Sequence, residues 1–389
     1  MSLVLDPLPA AVLPAGVRAR HQNNGNGLEM HLLEAGWEQP GRPLLLLLHG
    51  FPELAYSWRS VMPALAQAGY HVVAPDQRGY GRTTGWVADY DGDLSSFRMI
   101  NLVRDALGLV WALGHTEVAA VVGHDFGSTV AGWCSIIRPD VFRRVVLMSA
   151  PFSGPPPRPV VASAGERGGR PLAEKAADVH AALARLARPR KHYQWYYSTR
   201  AANEDMWHSP QGMRDFLRAY FHMKSADWEA NRPYRLSGWD AEALAQMPTY
   251  YIMDLDRNMA QTVADDLPAA SAIAANRWLP ESAMDVYVDE YRRNGFQGGL
   301  QWYRCQTGSQ FTAEAQLFAG RTIDVPAMFV AGEADWGVYQ KPGDIEHLQG
   351  ALSRDWRGTH LVPGAGHWVQ QEQPQAVIEK LLTFLAGDA

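Results

Sequence analysis

The sequence predicts an α/β fold built on a mostly parallel sheet. Short apolar runs recur along the chain, and runs of this kind suit strands that are buried on both faces of a parallel sheet. They lie at Leu44–Leu48, Val72–Ala74, Val118–Val122, Val145–Met148, Ala327–Val330 and Thr359–Val362. Stretches with helical periodicity accompany them, at Leu54–Gly69, Ser96–Gly114, Gly127–Arg138 and Val377–Leu385. Ligands of such a sheet are expected beyond the carboxyl ends of its strands.

The strand pattern stops after Phe152 and resumes near Val325. From Pro151 to Pro171, ten of 21 residues are Pro or Gly, which indicates a linker. The pattern from Leu172 to Tyr303 is helical, without buried-strand runs. We therefore predict a core of residues 1–152 and 304–389, interrupted by a mostly helical cap of residues 153–303.

Composition excludes several classes of protein. The net charge of the 389 residues is −6, so a nucleic-acid partner is not expected. Two cysteines, Cys134 and Cys305, are too few for a disulfide framework or a cysteine zinc site. No apolar run approaches the roughly 20 residues of a membrane helix, and the first residues lack the cationic opening of a secretory signal. We expect a cytoplasmic protein that does not contact membranes and needs no metal or cofactor.

Gly123-His124-Asp125-Phe126-Gly127 follows the third apolar run and has the form G-x-nucleophile-x-G. In this pattern a sharp strand-to-helix turn exposes the central side chain, and the flanking glycines let the strand and the helix approach closely. Here the central residue is Asp125, where many hydrolases carry Ser. The same five-residue pattern also occurs in ordinary turns, so the rest of the sequence must decide whether Asp125 is a catalytic residue.

Two later residues supply that context. Asp335 follows the Ala327–Val330 run, and His367 follows the last run within Gly364–Trp368. The order nucleophile, acid, histidine is the triad order of hydrolases with this strand-to-helix turn. We predict that Asp125, Asp335 and His367 converge at the carboxyl edge of the sheet.

The loop after the first run, His49–Glu53, lies where an oxyanion hole is expected. The backbone N–H of Phe51 can pair there with the backbone N–H of Phe126. Both groups would then donate to an anion that forms on the nucleophile.

These motifs resemble the epoxide hydrolases, in particular the hydrolase domain of the soluble epoxide hydrolases. The resemblance extends from about Leu44 to the end of the chain and is weaker across Ser153–Arg188 and Trp207–Ser282. The matching segments are His49–Gly81, Gly123–Gly127, Gly295–Arg304 and Gly364–Pro374. The resemblance implies the α/β-hydrolase fold and hydrolysis of an epoxide to a vicinal diol.

The resemblance also implies a pair of cap tyrosines that hold the epoxide oxygen. Tyr303 matches one of them through its Trp-Tyr-Arg motif, and Tyr193 matches the other, although Tyr196 and Tyr197 stand close by. Opening an epoxide expels an alkoxide, and phenols with a reference pKa of about 10 remain protonated and can donate to it. Asp125 would form a covalent ester, which water activated by His367 and Asp335 would hydrolyse.

The region between the two tyrosines suggests the nature of the substrate. Aromatic residues make up 19 of the 111 residues from Tyr193 to Tyr303, against 11% in the whole chain. Part of this excess packs the cap, and part can line an apolar pocket. We expect a small lipophilic epoxide.

Two alternatives remain open. Haloalkane dehalogenases use the same Asp nucleophile, but they hold the halide with side-chain N–H donors at positions that here look like Phe126 and Phe51. A non-catalytic protein could also keep this scaffold as a ligand receptor. Serine esterase chemistry is excluded because no Ser occupies the turn.

Overall fold

A computed structural model describes residues 5–158 and 172–387, and a large sheet forms its centre. Ten strands are found in these residues: β1 Val17–Asn23, β2 Glu29–Ala35, β3 Leu44–Leu48, β4 His71–Pro75, β5 Ala120–His124, β6 Val145–Met148, β7 Arg190–His192, β8 Ile252–Asp254, β9 Ile323–Gly332 and β10 Ser353–Val362. Eight of them form one sheet in the order β1-β2-β4-β3-β5-β6-β9-β10. Strand β2 pairs antiparallel with both neighbours, and all other pairs of this sheet are parallel. The predicted mostly parallel sheet is confirmed.

The sequence pattern missed β1 and β2. Strand β1 is mostly half-exposed, and β2 carries His31 and Glu34 on buried positions. These polar side chains are buried with partners: Nδ1 of His31 lies 2.8 Å from Asp76, and Glu34 accepts hydrogen bonds from Arg20. Charged residues interrupt the apolar run that would have indicated a strand, and the structure compensates them by pairing.

The described residues contain sixteen α-helices. They are α1 Met62–Gln67, α2 Met99–Ala112, α3 Phe126–Ile137, α4 Leu172–Ala184, α5 Tyr193–Tyr197, α6 Ala201–Trp207, α7 Gly212–Lys224, α8 Ala241–Leu244, α9 Met259–Ala264, α10 Ala270–Ala275, α11 Glu281–Asn294, α12 Gln297–Thr307, α13 Thr312–Ala315, α14 Asp344–His347, α15 Val369–Glu372 and α16 Pro374–Ala386. The single helix predicted over Leu54–Gly69 is wrong. The chain forms a 3₁₀ turn at Ala55–Trp58 before α1, which begins next to Pro63, a residue suited only to a first helical turn.

Most described residues between β6 and β9 are helical, and we call this part of the chain the helical insert. It also contains a small antiparallel sheet of β7 and β8, two three-residue strands that the sequence pattern did not indicate. The chain enters β7 at Arg190, which is buried and whose Nε donates to the carbonyl of Ile252 at 2.8 Å. A strand of three polar residues has no apolar pattern to detect. Of the predicted linker, residues 159–171 lie outside the part of the chain that the structure describes. The cap limits 153–303 stay a prediction.

Four loops converge at one edge of the sheet. Strands β3, β5, β9 and β10 run parallel, so their carboxyl ends meet at the same edge. The five leucines of β3 and all residues of β5 are buried, which anchors the loops that follow them. In the two described stretches, no helix combines the length and the apolar character needed to cross a membrane.

Candidate active site

Asp125 occupies a strained turn between β5 and α3. Its backbone angles are φ 53° and ψ −118°, a region that residues with a side chain rarely adopt. The flanking glycines explain how the turn fits. A Cβ added to Gly123 would lie 2.0 Å from the carbonyl oxygen of Gly127, and a Cβ on Gly127 would lie 2.3 Å from that of Leu48. Strand and helix therefore approach in a way that only glycine permits.

Both carboxylate oxygens of Asp125 have specific neighbours. The backbone N–H of Phe51 donates to Oδ1 at 3.0 Å, and Nε2 of His367 lies 3.3 Å from Oδ2. Burial acts to raise the pKa of this carboxyl. The hydrogen bond and charge of His367, followed by the charges of Lys224 and His124, outweigh it and hold the pKa below the usual range. Asp125 is therefore an anion.

His367 stands between two carboxylates. Its Nδ1 lies 3.1 Å from Oδ1 of Asp335, which also accepts the backbone N–H of Gly337 at 2.7 Å. Asp335 and His367 are each about 1% exposed. The structure thus brings together the three residues that the sequence predicted to converge, with the imidazole in the middle.

Phe126 is the first residue of α3, where a backbone N–H has no partner within the helix ladder. The N–H groups of Phe51 and Phe126, the two predicted donors, belong to the β3 loop and to the start of α3. The N–H of Phe51 already holds an oxygen of Asp125.

Tyr193 and Tyr303 lie beside Asp125. The two rings have centroids 6.0 Å apart, and both side chains line the same cavity as Asp125 and Phe126. The hydroxyl of Tyr193 donates to the side chain of Gln340 at 3.1 Å. Burial, followed by the negative charge of Asp125, raises the pKa of both tyrosines well above its ordinary value, so both phenols keep their protons.

The tyrosines next to Tyr193 are engaged elsewhere. The hydroxyl of Tyr196 donates to Asp205 at 2.8 Å, and that of Tyr197 donates to the hydroxyl of Tyr220 at 3.1 Å. Of the three candidates on α5, Tyr193 is the one that lines the cavity with Asp125.

Sequence reasoning missed a buried pair behind Asp125, formed by Glu53 and His124. Nδ1 of His124 lies 2.5 Å from Glu53, and its Nε2 lies 2.6 Å from the carbonyl oxygen of His367. Burial acts to lower the pKa of His124, but the charge of Glu53 and its hydrogen bond raise this pKa to about 8. Glu53 lies at the end of the segment His49–Glu53, and His124 lies next to Asp125. Their position beside candidate site residues was the only indication in the sequence that they have a role.

A strained aspartate after a central strand, in contact with a histidine that also contacts a second aspartate, is an arrangement typical of enzymes with the α/β-hydrolase fold. A family model described as alpha/beta hydrolase fold matches residues 43–178. Epoxide hydrolase A of Mycobacterium tuberculosis is 33% identical over 371 residues, which cover 93% of this chain and 95% of that protein. Epoxide hydrolase B of the same organism is 32% identical and covers 94% and 97%.

Solved structures agree with these relatives. Epoxide hydrolase A from Mycobacterium thermoresistibile has a TM-score of 0.72 at 31% identity, over 95% of this chain and 98% of that one. Potato epoxide hydrolase I has a TM-score of 0.69 at 26% identity, over 95% and 99%. The chain belongs to the epoxide hydrolase family, and the enzyme class predicted from the sequence is confirmed.

In the part of the chain that the structure describes, no group of three or more His, Cys, Asp or Glu side chains is arranged to hold a metal ion.

Proposed function

We propose that the protein adds water to an epoxide through a covalent ester on Asp125. The observation that carries this proposal is the geometry of that carboxylate: one oxygen is held by Phe51 N–H at 3.0 Å and the other lies 3.3 Å from His367 Nε2. A residue that acted only as a base would need no strained position at the tip of a strand.

In the first half of the reaction, a carboxylate oxygen of Asp125 attacks an epoxide carbon and the carbon–oxygen bond of the ring breaks. The departing oxygen becomes an alkoxide, which takes a hydrogen bond and then a proton from Tyr193 or Tyr303. Both phenols support this role because their raised pKa keeps them protonated beside an anion. The nucleophile is now a neutral ester.

In the second half, His367 takes a proton from water, and the resulting hydroxide attacks the ester carbonyl carbon. The tetrahedral anion that forms is stabilised by the backbone N–H groups of Phe51 and Phe126. Its collapse breaks the bond to the diol oxygen, which receives the proton from His367. Asp125 is released as a carboxylic acid, and its proton returns to the tyrosinate that was left in the first half, so that both groups regain their starting state. Asp335, at 3.1 Å from Nδ1, holds the imidazole in orientation and stabilises its charged form.

We propose further that residues 153–303 act as a cap that closes this site. The support is that Tyr193 and Tyr303, both from the helical insert, line one cavity with Asp125. Aromatic rings pack against Tyr303, which meets Phe51 edge-on at 5.5 Å and Phe126 edge-on at 5.2 Å between centroids. Such surroundings favour a small lipophilic epoxide.

The test is a single turnover in ¹⁸O-water with enzyme in excess, on the best substrate from a panel of aryl and alkyl epoxides. We expect unlabelled diol and one labelled oxygen in the peptide that contains Asp125, because solvent oxygen enters the carboxylate. Asp125→Ala should form no diol. Label in the diol at first turnover would mean that water attacks the epoxide directly and would exclude the ester mechanism.

Neither alternative gains support from the site. Phe51 and Phe126 have no side-chain donor for a halide, and the nearby indole N–H of Trp302 already donates to Arg78 O at 2.9 Å. A pure receptor would not require a triad or phenols beside the nucleophile. Diol formation by the wild-type protein, absent in Asp125→Ala, separates the enzyme from the receptor.

A further inference from the structure

A buried lysine faces the site from the helical insert. Lys224 is the last residue of α7 and is only 3% exposed. Its ammonium lies within cation–π distance of four ring centroids, at 5.4 Å from Tyr220, 5.8 Å from Tyr250, 4.8 Å from Tyr251 and 5.7 Å from Trp368. A buried ammonium is costly unless its surroundings compensate the charge, so its retention requires a reason.

The backbone fixes this lysine next to the catalytic histidine. The carbonyl oxygen of Lys224 accepts the backbone N–H of His367 at 2.8 Å. A Cβ added to Gly366 would lie 2.6 Å from that same carbonyl oxygen, so the end of α7 and the histidine loop are in close contact. The ring of Trp368, which is part of the aromatic cage, lies 4.7 Å from the His367 ring between centroids.

The positive charge of Lys224 acts on the groups of the site. After burial, which raises the pKa of Asp125, and His367, which lowers it, Lys224 is the next contribution, and it lowers that pKa. Burial also raises the pKa of Tyr220, and the charge of Lys224 opposes this rise. Both effects are those of a cation close to the reacting carboxylate.

The other ionisable groups around His367 are carboxyl groups or belong to an ion pair. Asp125 and Asp335 face its ring from the turn before α3 and from the loop after β9. Behind it, the charges of Glu53 and His124 offset each other. On α15, burial raises the pKa of Glu372 to about 8, despite its backbone hydrogen bonds. Lys224 supplies a positive charge from the α7 side.

We propose that Lys224 is the fixed counter-charge of the reaction, which keeps His367 unprotonated once Asp125 has become an ester. The inference rests on the proposed function. In the free enzyme, the anionic Asp125 lies 3.3 Å from Nε2 of His367. Ester formation removes that anion. The ammonium of Lys224, which contacts the same Trp368 ring that His367 contacts, then disfavours a second positive charge. His367 is left neutral when it must accept a proton from water. Because Lys224 acts through His367, it is a positioning residue.

The experiment measures ester hydrolysis, followed as loss of the adduct on the Asp125 peptide by mass spectrometry, between pH 5 and pH 9. Lys224→Met removes the charge and keeps most of the stem, whereas Lys224→Arg keeps the charge. We expect the acidic fall-off in the hydrolysis rate of Lys224→Met to move up by about one pH unit. At the wild-type midpoint this corresponds to a rate roughly five-fold lower. The rates should converge at high pH, and Lys224→Arg should follow the wild type.

Lys191→Met is the matched control. Lys191 also forms a cation–π contact, 5.1 Å from the Tyr196 ring, but its ammonium donates to the carbonyl of Leu255. Its removal should not move the pH profile. If Lys224→Met fails to fold, as judged by circular dichroism, Lys224→Gln replaces it. An unmoved profile in the neutral variant, or an equal shift in Lys224→Arg, would overturn the inference while leaving the ester mechanism intact. Absence of any ester in the wild type would overturn both.

Discussion

Nε2 of His367 lies 3.3 Å from Asp125 Oδ2, while Nδ1 of the same ring lies 3.1 Å from Asp335 Oδ1. One imidazole therefore bridges the proposed nucleophile and a second carboxylate. In the proposed mechanism, attack on the epoxide requires Asp125 and a tyrosine that donates to the leaving oxygen. Ester hydrolysis then requires His367 and Asp335.

Asp335→Asn should slow ester hydrolysis far more than ester formation. The amide cannot stabilise the imidazolium that forms when His367 takes a proton, and equivalent changes in hydrolytic triads cost about 10⁴ in rate. Rapid-quench kinetics should show a burst of ester followed by slow diol release. Equal loss in both steps would mean that Asp335 has no separate role in hydrolysis.

His367→Gln should trap the ester. The amide cannot accept a proton from water, so we expect a stable mass adduct on the Asp125 peptide after addition of an epoxide. Asp125→Ala with the same epoxide serves as the control and should carry no adduct. An adduct mapped to another residue would identify a different nucleophile.

Tyr193→Phe and Tyr303→Phe should each slow ester formation and leave the fold intact. Loss of one donor to a developing oxyanion costs about 10²–10³ in rate. The two phenols line one cavity, so each can partly replace the other. The double variant should therefore lose more activation free energy than the two single variants together. Tyr196→Phe is the matched control, since its hydroxyl donates to Asp205. Unchanged turnover in the double variant would exclude the proposed donors.

Gly123→Ala should destabilise the protein and abolish turnover. The added methyl would lie 2.0 Å from the carbonyl oxygen of Gly127, which belongs to the backbone of α3 and cannot move aside cheaply. We expect a loss of more than about 3 kcal/mol in the free energy of unfolding, measured with urea. Gly350→Ala is the control, because nothing lies within 4 Å of the position that its Cβ would occupy. A Gly123 variant with wild-type stability would contradict the close approach of β5 and α3.

The sequence predicts those site residues whose position in the chain, directly after a strand, also determines where they lie in the fold. Asp125, Asp335 and His367 each follow a parallel strand, so the chain pattern alone places them at one edge. Lys224 and the Glu53–His124 pair were not predictable, because their meaning depends on contacts between distant segments. His124 meets the carbonyl of His367 across 243 residues of chain, and no local pattern records that contact.

The same physical reason explains the missed strands. Strand β2 buries His31 and Glu34, whose partners come from other strands and loops. A pattern of apolar residues cannot detect a strand whose burial depends on paired charges. Strands β3, β5 and β6, which are buried throughout and consist mostly of apolar residues, were recognised.

The buried Glu53–His124 pair predicts how stability depends on pH. Nδ1 of His124 faces a carboxylate at 2.5 Å and Nε2 faces a carbonyl oxygen at 2.6 Å. Two acceptors require a proton on both ring nitrogens, so the ring is an imidazolium, in agreement with a pKa raised from 6.5 to about 8 by Glu53 despite burial. The folded protein therefore holds this proton more tightly than the unfolded chain does.

The sign of the effect follows from that difference in proton binding. The stabilising contribution of His124 is fully present below pH 6.5 and is lost as the pH rises through about 8. Glu372, with its pKa raised from 4.5 to about 8, also binds a proton more tightly in the folded state and acts in the same direction. Below pH 7 the lowered pKa values of buried histidines such as His192 and His49 act in the opposite direction. Urea unfolding between pH 7 and pH 8.5 should thus show a falling free energy. In His124→Gln this fall should be shallower, while the part due to Glu372 remains. A variant whose free energy of unfolding falls as steeply as that of the wild type would show that His124 is neutral in the folded protein, and that its contact with the carbonyl of His367 needs no charge.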